Sequence, residues 1–263
     1  MAIALRSLAE QVAREAGAVL RDRARSAPTG VGTKSSDTDP VTDADRAAES
    51  LIVDRLKAAR PGDAIVAEES ASVVQAAGER PDASITWYVD PLDGTTNYLY
   101  GLPHWAVSVA CADATGTLAG VVYDVLRDEC FSAERGGGAS CNGRSLAVRP
   151  GGDLATALVA TGFSYGAAER AAQAEVAARV IGRVRDLRRA GSATLDLAWV
   201  AAGRLDAYFE VARAPWDWAA GALLVREAGG RISWTEHDEI VASGPAVHAA
   251  LLALLRDAHE FHG

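Results

Sequence analysis

The most informative stretch of the sequence is Trp87-Tyr88-Val89-Asp90-Pro91-Leu92-Asp93-Gly94-Thr95-Thr96-Asn97. Its apolar beginning predicts a β-strand over residues 85–89 that runs into Asp90, and Pro91 forces a turn after it. We expect the carboxylates of Asp90 and Asp93 to converge on one side of this turn while the Leu92 carbonyl points outward. The stretch therefore predicts a cluster of oxygen ligands where a strand ends.

The second half of this stretch has the features of a phosphate site. Gly94 permits close approach to the backbone, and Thr95-Thr96-Asn97 predicts the start of a helix, whose free N–H groups and positive dipole end bind phosphate. An Asp-Pro turn followed by a capped helix would explain each half separately without any ligand. The adjacency of the two halves favours a cation site beside a phosphate site.

Three further acidic segments stand at the ends of predicted elements: Glu68-Glu69 after a short strand, Thr42-Asp43-Ala44-Asp45 at the start of a helix, and Trp216-Asp217-Trp218 before another helix. Each also has a purely structural interpretation, as a solvated strand end or as helix capping. Because side chains alternate along an extended segment, we expect Glu68 to enter a site and Glu69 to support it.

The donor types predict which metal these acids would bind. The chain has three cysteines and five histidines, and neither residue type forms a cluster with metal-ligand spacing. Carboxylates without nitrogen or sulfur partners argue against zinc and favour hard cations such as Mg²⁺. Two such ions would activate a water and hold both the attacking and the leaving oxygen of a phosphate ester. The sequence thus predicts metal-dependent phosphate ester hydrolysis.

Apolar periodicity and turn residues predict the organisation of the chain. The predicted helices cover 5–20, 42–61, 167–182, 193–203 and 217–228, and the predicted strands cover 64–67, 85–89, 105–112, 118–123, 130–133, 154–160 and 207–211. The first strands suggest a mostly antiparallel sheet, whereas strand and helix alternate later. We therefore predict an N-terminal α+β domain over 1–148 with the metal site and a C-terminal α/β domain over 149–263 that contributes Asp217 and substrate contacts.

Composition limits the classes of partner. Of the 263 residues, 49% are apolar and 23% are charged, which is typical of a soluble globular protein. A formal charge of -9 repels nucleic acid phosphates and anionic lipids, so neither is expected as the main ligand. No apolar run is long enough for a membrane span, and the first residues do not form a leader, so we expect a cytoplasmic protein.

At these residues the sequence resembles the inositol monophosphatase family of Mg²⁺-dependent, lithium-sensitive phosphatases. The motifs that carry the resemblance extend over nearly the whole chain. In order they are Lys34-Ser35-Ser36, Asp39-Pro40-Val41-Thr42-Asp43-Ala44-Asp45, Ala67-Glu68-Glu69-Ser70, the stretch from Asp90 to Asn97, Gly191-Ser192-Ala193 and Trp216-Asp217-Trp218-Ala219-Ala220-Gly221. The resemblance implies a layered αβαβα fold and a homodimer.

The resemblance also implies two to three Mg²⁺ ions. The implied ligands of the first are Glu68, Asp90 and the Leu92 carbonyl, those of the second are Asp90, Asp93 and Asp217, and a weaker third would lie near Glu68 with support from Lys34 and Glu69. Glu68 and Thr95 would orient the attacking water, and Asp45 would hydrogen-bond Thr95. The N–H groups of Gly94 and Thr95 would hold the phosphate. The implied contacts to the alcohol are Asp93, Gly191, Ser192, Ala193, Glu210 and Asp217.

Several alternatives remain open at this level. We expect inositol 1-phosphate or a similar small polyol phosphate as substrate, with histidinol phosphate, fructose 1,6-bisphosphate and NADP as alternatives on the same fold. A haloacid-dehalogenase-type phosphatase is disfavoured because the spacing of Asp90 and Asp93 has one residue too many. A regulatory protein-binding module is the alternative from a different class. The arginine run over 183–189 is typical of a solvated helix face, with phosphate contact as its alternative.

Overall fold

A computed structural model describes residues 2–34, 36–70, 85–211 and 214–260, so Ser35 of the first motif lies outside the described residues. The described helices are α1 (Ala2–Arg23), α2 (Asp43–Ala59), α3 (Thr95–Leu99), α4 (Ala167–Ile181), α5 (Ala193–Ala201), α6 (Pro215–Glu227) and α7 (Pro245–Glu260). The described strands are β1 (Gly32–Thr33), β2 (Pro40–Val41), β3 (Ala64–Ala67), β4 (Thr86–Asp93), β5 (Ala106–Asp113), β6 (Gly116–Asp124), β7 (Glu129–Glu134), β8 (Gly138–Cys141), β9 (Arg144–Ser145), β10 (Leu158–Thr161), β11 (Asp186–Arg188), β12 (Ala207–Val211), β13 (Arg231–Trp234) and β14 (Glu239–Ser243).

The larger sheet contains seven strands in the order β3-β4-β5-β6-β7-β8-β9. All neighbours pair antiparallel except β3 and β4, which are parallel. The predicted mostly antiparallel sheet is therefore confirmed. The central strands are buried on both faces, as in β5 from Ala106 to Cys111, because helices cover the sheet on both sides.

Helices α1 and α2 cover the outer face of this sheet. The apolar stripe of α1, which includes Leu5, Val12 and Leu20, is buried against strand residues. Helix α2 begins after Thr42, whose side chain accepts hydrogen bonds from the backbone N–H groups of Ala44 and Asp45. Both helices follow the sequence prediction, and α1 extends slightly further, to Arg23.

The smaller sheet has the strand order β11-β10-β12-β14-β13 and mixes parallel and antiparallel pairs. Helices α5 and α6 lie between the two sheets, where Leu197 and Leu224 share one apolar cluster with Phe131 and Tyr208. Helices α4 and α7 cover the outer face of the smaller sheet in a separate cluster. The resulting order of layers is αβαβα, which confirms the predicted fold class.

Helix α6 packs very closely on the larger sheet at one point. A Cβ added to Gly120 in β6 would lie 2.7 Å from the Cα of Ala220 and 3.1 Å from its carbonyl oxygen. Only glycine fits there, because the neighbouring atoms belong to backbone that cannot rotate away. This contact fixes the distance between the larger sheet and the start of α6, which carries Asp217.

The two sheets lie on either side of the predicted boundary at 148/149, since the larger ends at Ser145 and the smaller begins at Leu158. Val148 nevertheless packs in the apolar cluster that both sheets share. The division into two domains therefore stays a prediction. Within the described ranges, no helix combines the length and the apolar character needed to cross a membrane.

Three sequence predictions about elements differ from the structure. Residues 154–160 do not form one strand, because a 3₁₀ turn occupies Leu154–Thr156 before β10 begins. Strand β4 does not end at Asp90 but continues to Asp93. Helix α6 begins at Pro215, which favours the first turn of a helix, so Asp217 lies inside that turn and is not the N-cap. The hairpin β13–β14 and helix α7 were not predicted.

Candidate active site

An open pocket of about 480 Å³ collects residues from both sheets and from the starts of three helices. Its wall includes the end of β4, the residues that follow β3 and β10, part of β12, and the first residues of α3, α5 and α6. This volume is typical of a small-molecule site. The pocket is therefore the place where segments far apart in sequence meet.

A bulge at the end of β4 places two carboxylates on the pocket wall. Asp90 pairs with Ser108 of β5 and Asp93 pairs with Ala106, so β4 has one more residue between these pairs than β5. Pro91 lies in this bulge, where a missing N–H does not interrupt the ladder. Asp90 is 2% exposed and its Oδ1 accepts a hydrogen bond from Leu92 N–H at 2.9 Å.

Asp93 connects the larger sheet to the start of α5. Its Oδ2 accepts hydrogen bonds from Ser192 Oγ at 2.6 Å, from Thr194 N–H at 2.8 Å and from the Thr194 hydroxyl. Ser192 also caps α5 by accepting from Leu195 N–H at 3.3 Å. The Ser192 hydroxyl therefore holds Asp93 and α5 in place, and its predicted contact with substrate stays a prediction.

Gly94 has a backbone conformation that favours glycine, with φ of 97°. A Cβ at this position would lie 3.0 Å from the carbonyl oxygen of His104 and 3.3 Å from that of Gly191. This packing brings the turn before α3 against Gly191, so both segments line the same pocket. The close approach of a phosphate to the Gly94 backbone stays a prediction.

Thr95 is joined to Asp45, which lies in the first turn of α2. Thr95 Oγ1 lies 3.0 Å from Asp45 Oδ1 and 3.0 Å from the Leu92 carbonyl oxygen, and its single proton can be donated to either. Asp45 Oδ2 accepts a hydrogen bond from Thr42 N–H at 2.9 Å and so completes a capping box. The capping interpretation of Asp45 and its predicted contact with Thr95 are thus both correct.

Lys34 faces the two neighbouring glutamates. Its Nζ lies 2.8 Å from Glu68 Oε1 and 2.6 Å from Glu69 Oε1. Burial alone would lower the pKa of Lys34, but the charges of Glu68 and Glu69 raise it above its usual value. Burial raises the pKa of Glu69 to about 7. Glu68 lines the pocket and Glu69 does not, although both carboxylates turn toward the same ammonium group.

Glu210 lies on the pocket wall, in β12. Its Oε2 accepts a hydrogen bond from Tyr208 OH at 2.6 Å. Its carboxylate covers Gly162, where an added Cβ would collide with it. Burial raises the pKa of Glu210 to about 7, while the Tyr208 hydrogen bond and the charge of Arg189 lower it. A carboxylate held in this way can accept hydrogen bonds from hydroxyl groups.

The carboxylates of the pocket repel one another. Burial and the charges of Glu68, Asp93 and Asp217 raise the pKa of Asp90 well above its usual value. Burial and the charges of Glu68 and Asp93 raise the pKa of Asp217 in the same way, and Lys34 opposes this effect. A bound cation would remove this repulsion.

The donor set is made of oxygen atoms. As the side chains stand, no three Asp, Glu, His or Cys side chains of the described ranges are drawn together closely enough to hold a metal ion. The carboxylates are instead distributed along the pocket wall. Buried oxygen donors with excess negative charge fit a hard cation such as Mg²⁺ in their chemistry.

Most predicted site residues meet in this pocket. The pocket wall includes Lys34, Glu68, Asp90, Leu92, Asp93, Gly94, Thr95, Gly191, Ser192, Ala193, Glu210 and Asp217. Asp45 lies beneath Thr95, and Glu69 lies behind Lys34. The structure thus brings the predicted residues together, while their individual roles stay predictions.

Sequence reasoning did not single out some residues of the wall, among them Thr161, Tyr165 and Asp196. A signal existed for the first two, because they lie at or after the carboxyl end of β10, where ligands commonly bind in α/β sheets. Asp196 had no distinguishing signal, because an acid near the start of a helix is common for other reasons.

The arginine run over 183–189 does not lie on a helix face, contrary to expectation. Helix α4 ends at Ile181, and Arg188 lies in β11, where its guanidinium is 2.5 Å from Asp186. Arg189 follows β11 and lines the pocket. Gly182 is the C-cap of α4, so the helix has ended before the arginines begin.

Two sheets separated by helices, with an acidic pocket at their junction, define a layered α/β protein. The chain belongs to the inositol monophosphatase family, whose model matches residues 4–260. A relative from Mycobacterium bovis named inositol-1-monophosphatase is 43% identical over 271 residues, which cover 96% of this chain and 93% of the relative.

Two other similar proteins show the same family. A relative from Escherichia coli named Nus factor SuhB is 40% identical over 259 residues, which cover 95% of each chain. The solved structure of an IMPase from Thermotoga maritima aligns with a TM-score of 0.85 at 29% identity and covers 97% of each chain. One relative is thus named as an enzyme and another as a Nus factor.

Proposed function

We propose that the protein is a Mg²⁺-dependent phosphomonoesterase that hydrolyses inositol 1-phosphate or a similar small polyol phosphate. The observation that carries this proposal is the contact between Thr95 Oγ1 and Asp45 Oδ1 at 3.0 Å, on the wall of a pocket lined by Asp90, Asp93 and Asp217. It puts a fixed hydroxyl beside donors for hard cations, which are the parts needed to direct a water at a phosphate.

Glu68, Asp90, the Leu92 carbonyl, Asp93 and Asp217 would hold two Mg²⁺ ions, and the loop with Lys34 and Glu69 would support a weaker third. Bound Mg²⁺ would supply positive charge to the phosphate and lower the pKa of a water. Lys34 already offsets part of the negative charge of Glu68 and Glu69. A third ion near Glu68 would therefore compete with the Lys34 ammonium group.

Thr95 and Glu68 would orient the attacking water. When Thr95 donates its proton to Asp45, its oxygen lone pairs remain available to accept a hydrogen bond from a water. Glu68 would accept a hydrogen bond from the other O–H of that water and then take its proton. The N–H groups of Gly94 and Thr95 would hold the phosphate oxygens. Attack would form a P–O bond to the water oxygen and break the ester P–O bond, and the leaving alkoxide would take a proton from a solvent water to give the alcohol.

The alcohol would lie toward the smaller sheet. Gly191, Ser192, Ala193 and Glu210 line that side of the pocket, and the Glu210 carboxylate is held by Tyr208 OH. A carboxylate acceptor suits the hydroxyl groups of a polyol. Histidinol phosphate, fructose 1,6-bisphosphate and NADP are the competing substrates.

The proposal is tested by initial rates of phosphate release from inositol 1-phosphate, histidinol phosphate, fructose 1,6-bisphosphate, 3′-phosphoadenosine 5′-phosphate and NADP, with and without Mg²⁺. We expect the highest kcat/KM for inositol 1-phosphate and no release after metal removal by a chelator. Absence of release from every substrate at saturating Mg²⁺ would contradict the proposal.

A regulatory role is the second candidate, because a relative with 40% identity is named Nus factor SuhB. Such a protein would act through a protein partner. Stoichiometric co-purification of a partner with the Asp90→Asn variant, which removes a proposed metal ligand, would favour a role that is independent of hydrolysis. Absence of a stoichiometric partner from both the wild type and this variant would favour the enzyme alone.

We also propose the homodimer that the family resemblance implies. Tyr100 and Leu102 follow α3 and are 79% and 51% exposed, so a second copy of the chain would have apolar side chains to cover there. Light scattering of the wild type and of Leu102→Glu tests this, with a dimer expected only for the wild type. The cytoplasmic location stays a prediction from the sequence.

A further inference from the structure

Asp196 is a buried carboxylate on the pocket wall that the proposed mechanism does not use. It lies in the first half of α5 and is 2% exposed. Its Oδ1 is buried and has no hydrogen-bond partner in the described part of the chain. Unpartnered buried acceptors are rare because they lose hydration without compensation. Because Asp196 lines the pocket, a donor on a bound molecule is the partner that this oxygen can still gain.

The groups near Asp196 belong to the same side of the pocket. Glu210, Tyr208 and Arg189 also line the wall, and a Cβ added to Gly191 would lie 2.9 Å from Arg189 Nη1. Burial and the charges of Glu210 and Asp93 raise the pKa of Asp196, whereas the charge of Arg189 lowers it. This side of the pocket thus combines two carboxyl groups with one guanidinium group.

We propose that Asp196 determines substrate specificity by accepting a hydrogen bond at Oδ1 from a hydroxyl group of the leaving alcohol. The inference rests on the proposed phosphatase function and narrows its substrate class. Glu210 would receive one hydroxyl and Asp196 another, so the alcohol must carry at least two hydroxyl groups besides the esterified one. The substrate class is therefore the monophosphate of a polyol that carries no other charged group.

The charges on this side also disfavour a second phosphate group. It would approach the carboxyl groups of Asp196 and Glu210, and Arg189 alone cannot neutralise both. Hydroxyl groups avoid this conflict, because they donate to carboxylates and accept from a guanidinium. We expect bisphosphates to be poorer substrates.

The experiment compares inositol 1-phosphate with p-nitrophenyl phosphate, whose leaving group has no further hydroxyl. Asp196→Leu should lower kcat/KM for inositol 1-phosphate by roughly 10–100-fold and change kcat/KM for p-nitrophenyl phosphate by less than about 3-fold. Asp196→Asn keeps an acceptor oxygen, so its loss should be smaller, about 3–10-fold. The ratio of kcat/KM for inositol 1-phosphate to kcat/KM for p-nitrophenyl phosphate should thus decrease from the wild type to Asp196→Asn and further to Asp196→Leu.

Asp124→Asn provides the matched control, because Asp124 is fully buried in β6 but does not line the pocket. It should leave the substrate ratio unchanged even if Tm falls. Equal losses on both substrates in Asp196→Asn, together with a lower Tm, would mean that Asp196 only stabilises α5 and would overturn the inference. If the wild type hydrolyses no phosphate ester, the proposed function fails and this inference fails with it. If the wild type is active and the ratio of kcat/KM for the two substrates is unchanged in Asp196→Asn and Asp196→Leu, the inference about Asp196 is refuted and the proposed function stands.

Discussion

Thr95 Oγ1 and Asp45 Oδ1 lie 3.0 Å apart, although fifty positions separate them in the sequence. Asp45 uses its other oxygen to accept from Thr42 N–H, so the same carboxylate caps α2 and fixes the Thr95 hydroxyl. Both residues are at most 5% exposed. The orientation of the proposed water-binding hydroxyl therefore depends on how α2 begins.

The first prediction concerns the Thr95 hydroxyl. Thr95→Ala should lower kcat by about 10²-fold or more with little change in KM, because orienting the water matters mainly in the transition state. Thr115→Ala is the control, since Thr115 Oγ1 also donates to an aspartate, Asp113 at 2.6 Å, outside the pocket. Initial rates on inositol 1-phosphate provide the measurement. A change confined to KM would instead identify Thr95 as a substrate-binding group.

The second prediction concerns metal dependence. Asp90→Asn should abolish phosphate release and weaken Mg²⁺ binding, while circular dichroism shows an intact fold, because a neutral amide cannot compensate the charge of the metal. Asp93→Asn should behave in the same way. Calorimetric titration with Mg²⁺ gives a readout that does not depend on activity. Near-wild-type turnover of Asp90→Asn at saturating Mg²⁺ would contradict the two-metal site.

Asp63, which directly precedes β3, provides a control for this prediction. Asp63 is also an inward-facing carboxylate, which accepts from Trp87 Nε1 at 2.8 Å and pairs with Arg60. Asp63→Asn removes a charge without touching the pocket. It should change Tm but neither Mg²⁺ binding nor kcat. An equal effect of both variants would indicate that Asp90 acts only through stability.

Local sequence signals predicted the central part of the site. Apolar periodicity predicted α2 and its Thr42 cap, and the spacing of Asp90, Asp93 and Gly94 predicted two carboxylates beside a tight turn. These features depend on neighbouring residues, so a short stretch contains the necessary information. The bulge between Asp90 and Asp93 was not predictable, because it depends on the register with β5.

Residues that reach the pocket from the second sheet were harder to predict. Asp196 and Arg189 approach the pocket only because α5 packs between the two sheets. Nothing within a few residues of Asp196 distinguishes it from an ordinary acid near a helix N-terminus. The family resemblance supplied Glu210 by motif, whereas its contact with Tyr208 follows from the alternation of side chains along β12.

The third prediction concerns the close contact between β6 and α6. Gly120→Ala places a methyl group 2.7 Å from the Cα of Ala220, so the sheet and the helix must separate. We expect the free energy of unfolding to fall by about 1–3 kcal/mol, with lower activity because Asp217 moves with α6. Thermal unfolding and rates measure both effects. Gly62→Ala is the control, since nothing lies within 4 Å of an added Cβ there, and equal Tm losses in both variants would contradict the packing argument.

The fourth prediction is a pH dependence that arises from Glu210. Burial raises its pKa to about 7. The titratable or charged groups near it are Tyr208, Arg189, Asp93, Asp196 and Asp217. Because the folded pKa lies above the usual value, the stabilising contribution is complete below about pH 4.5 and is lost as pH rises through about 7. The neutral Glu210→Gln variant should therefore gain stability relative to wild type between pH 5 and pH 8.5, by of order 1–3 kcal/mol.

Thermal melts of both proteins at the two pH values measure this difference. Glu236→Gln controls for a general change of surface charge, because the Glu236 side chain is 75% exposed. A gap between wild type and Glu210→Gln that stays constant with pH would show that the carboxylate is no harder to ionise in the folded protein than in the unfolded chain. If Glu210→Gln instead loses stability relative to the wild type toward pH 8.5, the effect of Arg189 on the pKa of Glu210 outweighs the effect of burial.

The last prediction concerns the role of Glu210 in substrate choice. Above pH 7 its carboxylate would accept a hydrogen bond from a hydroxyl of the leaving alcohol, and the amide of Glu210→Gln would weaken this bond, which is worth ~1.5–3 kcal/mol. The kcat/KM for inositol 1-phosphate should fall by roughly 10–100-fold, and that for p-nitrophenyl phosphate should remain nearly unchanged. If Glu210 only fixes Tyr208 at 2.6 Å, both substrates should lose rate together with a lower Tm. Tyr208→Phe separates these cases, because it removes that hydrogen bond but leaves the carboxylate in place. If histidinol phosphate is the best substrate of the wild type and suffers most in Glu210→Gln, then Glu210 pairs with an amine and inositol phosphate is not the substrate.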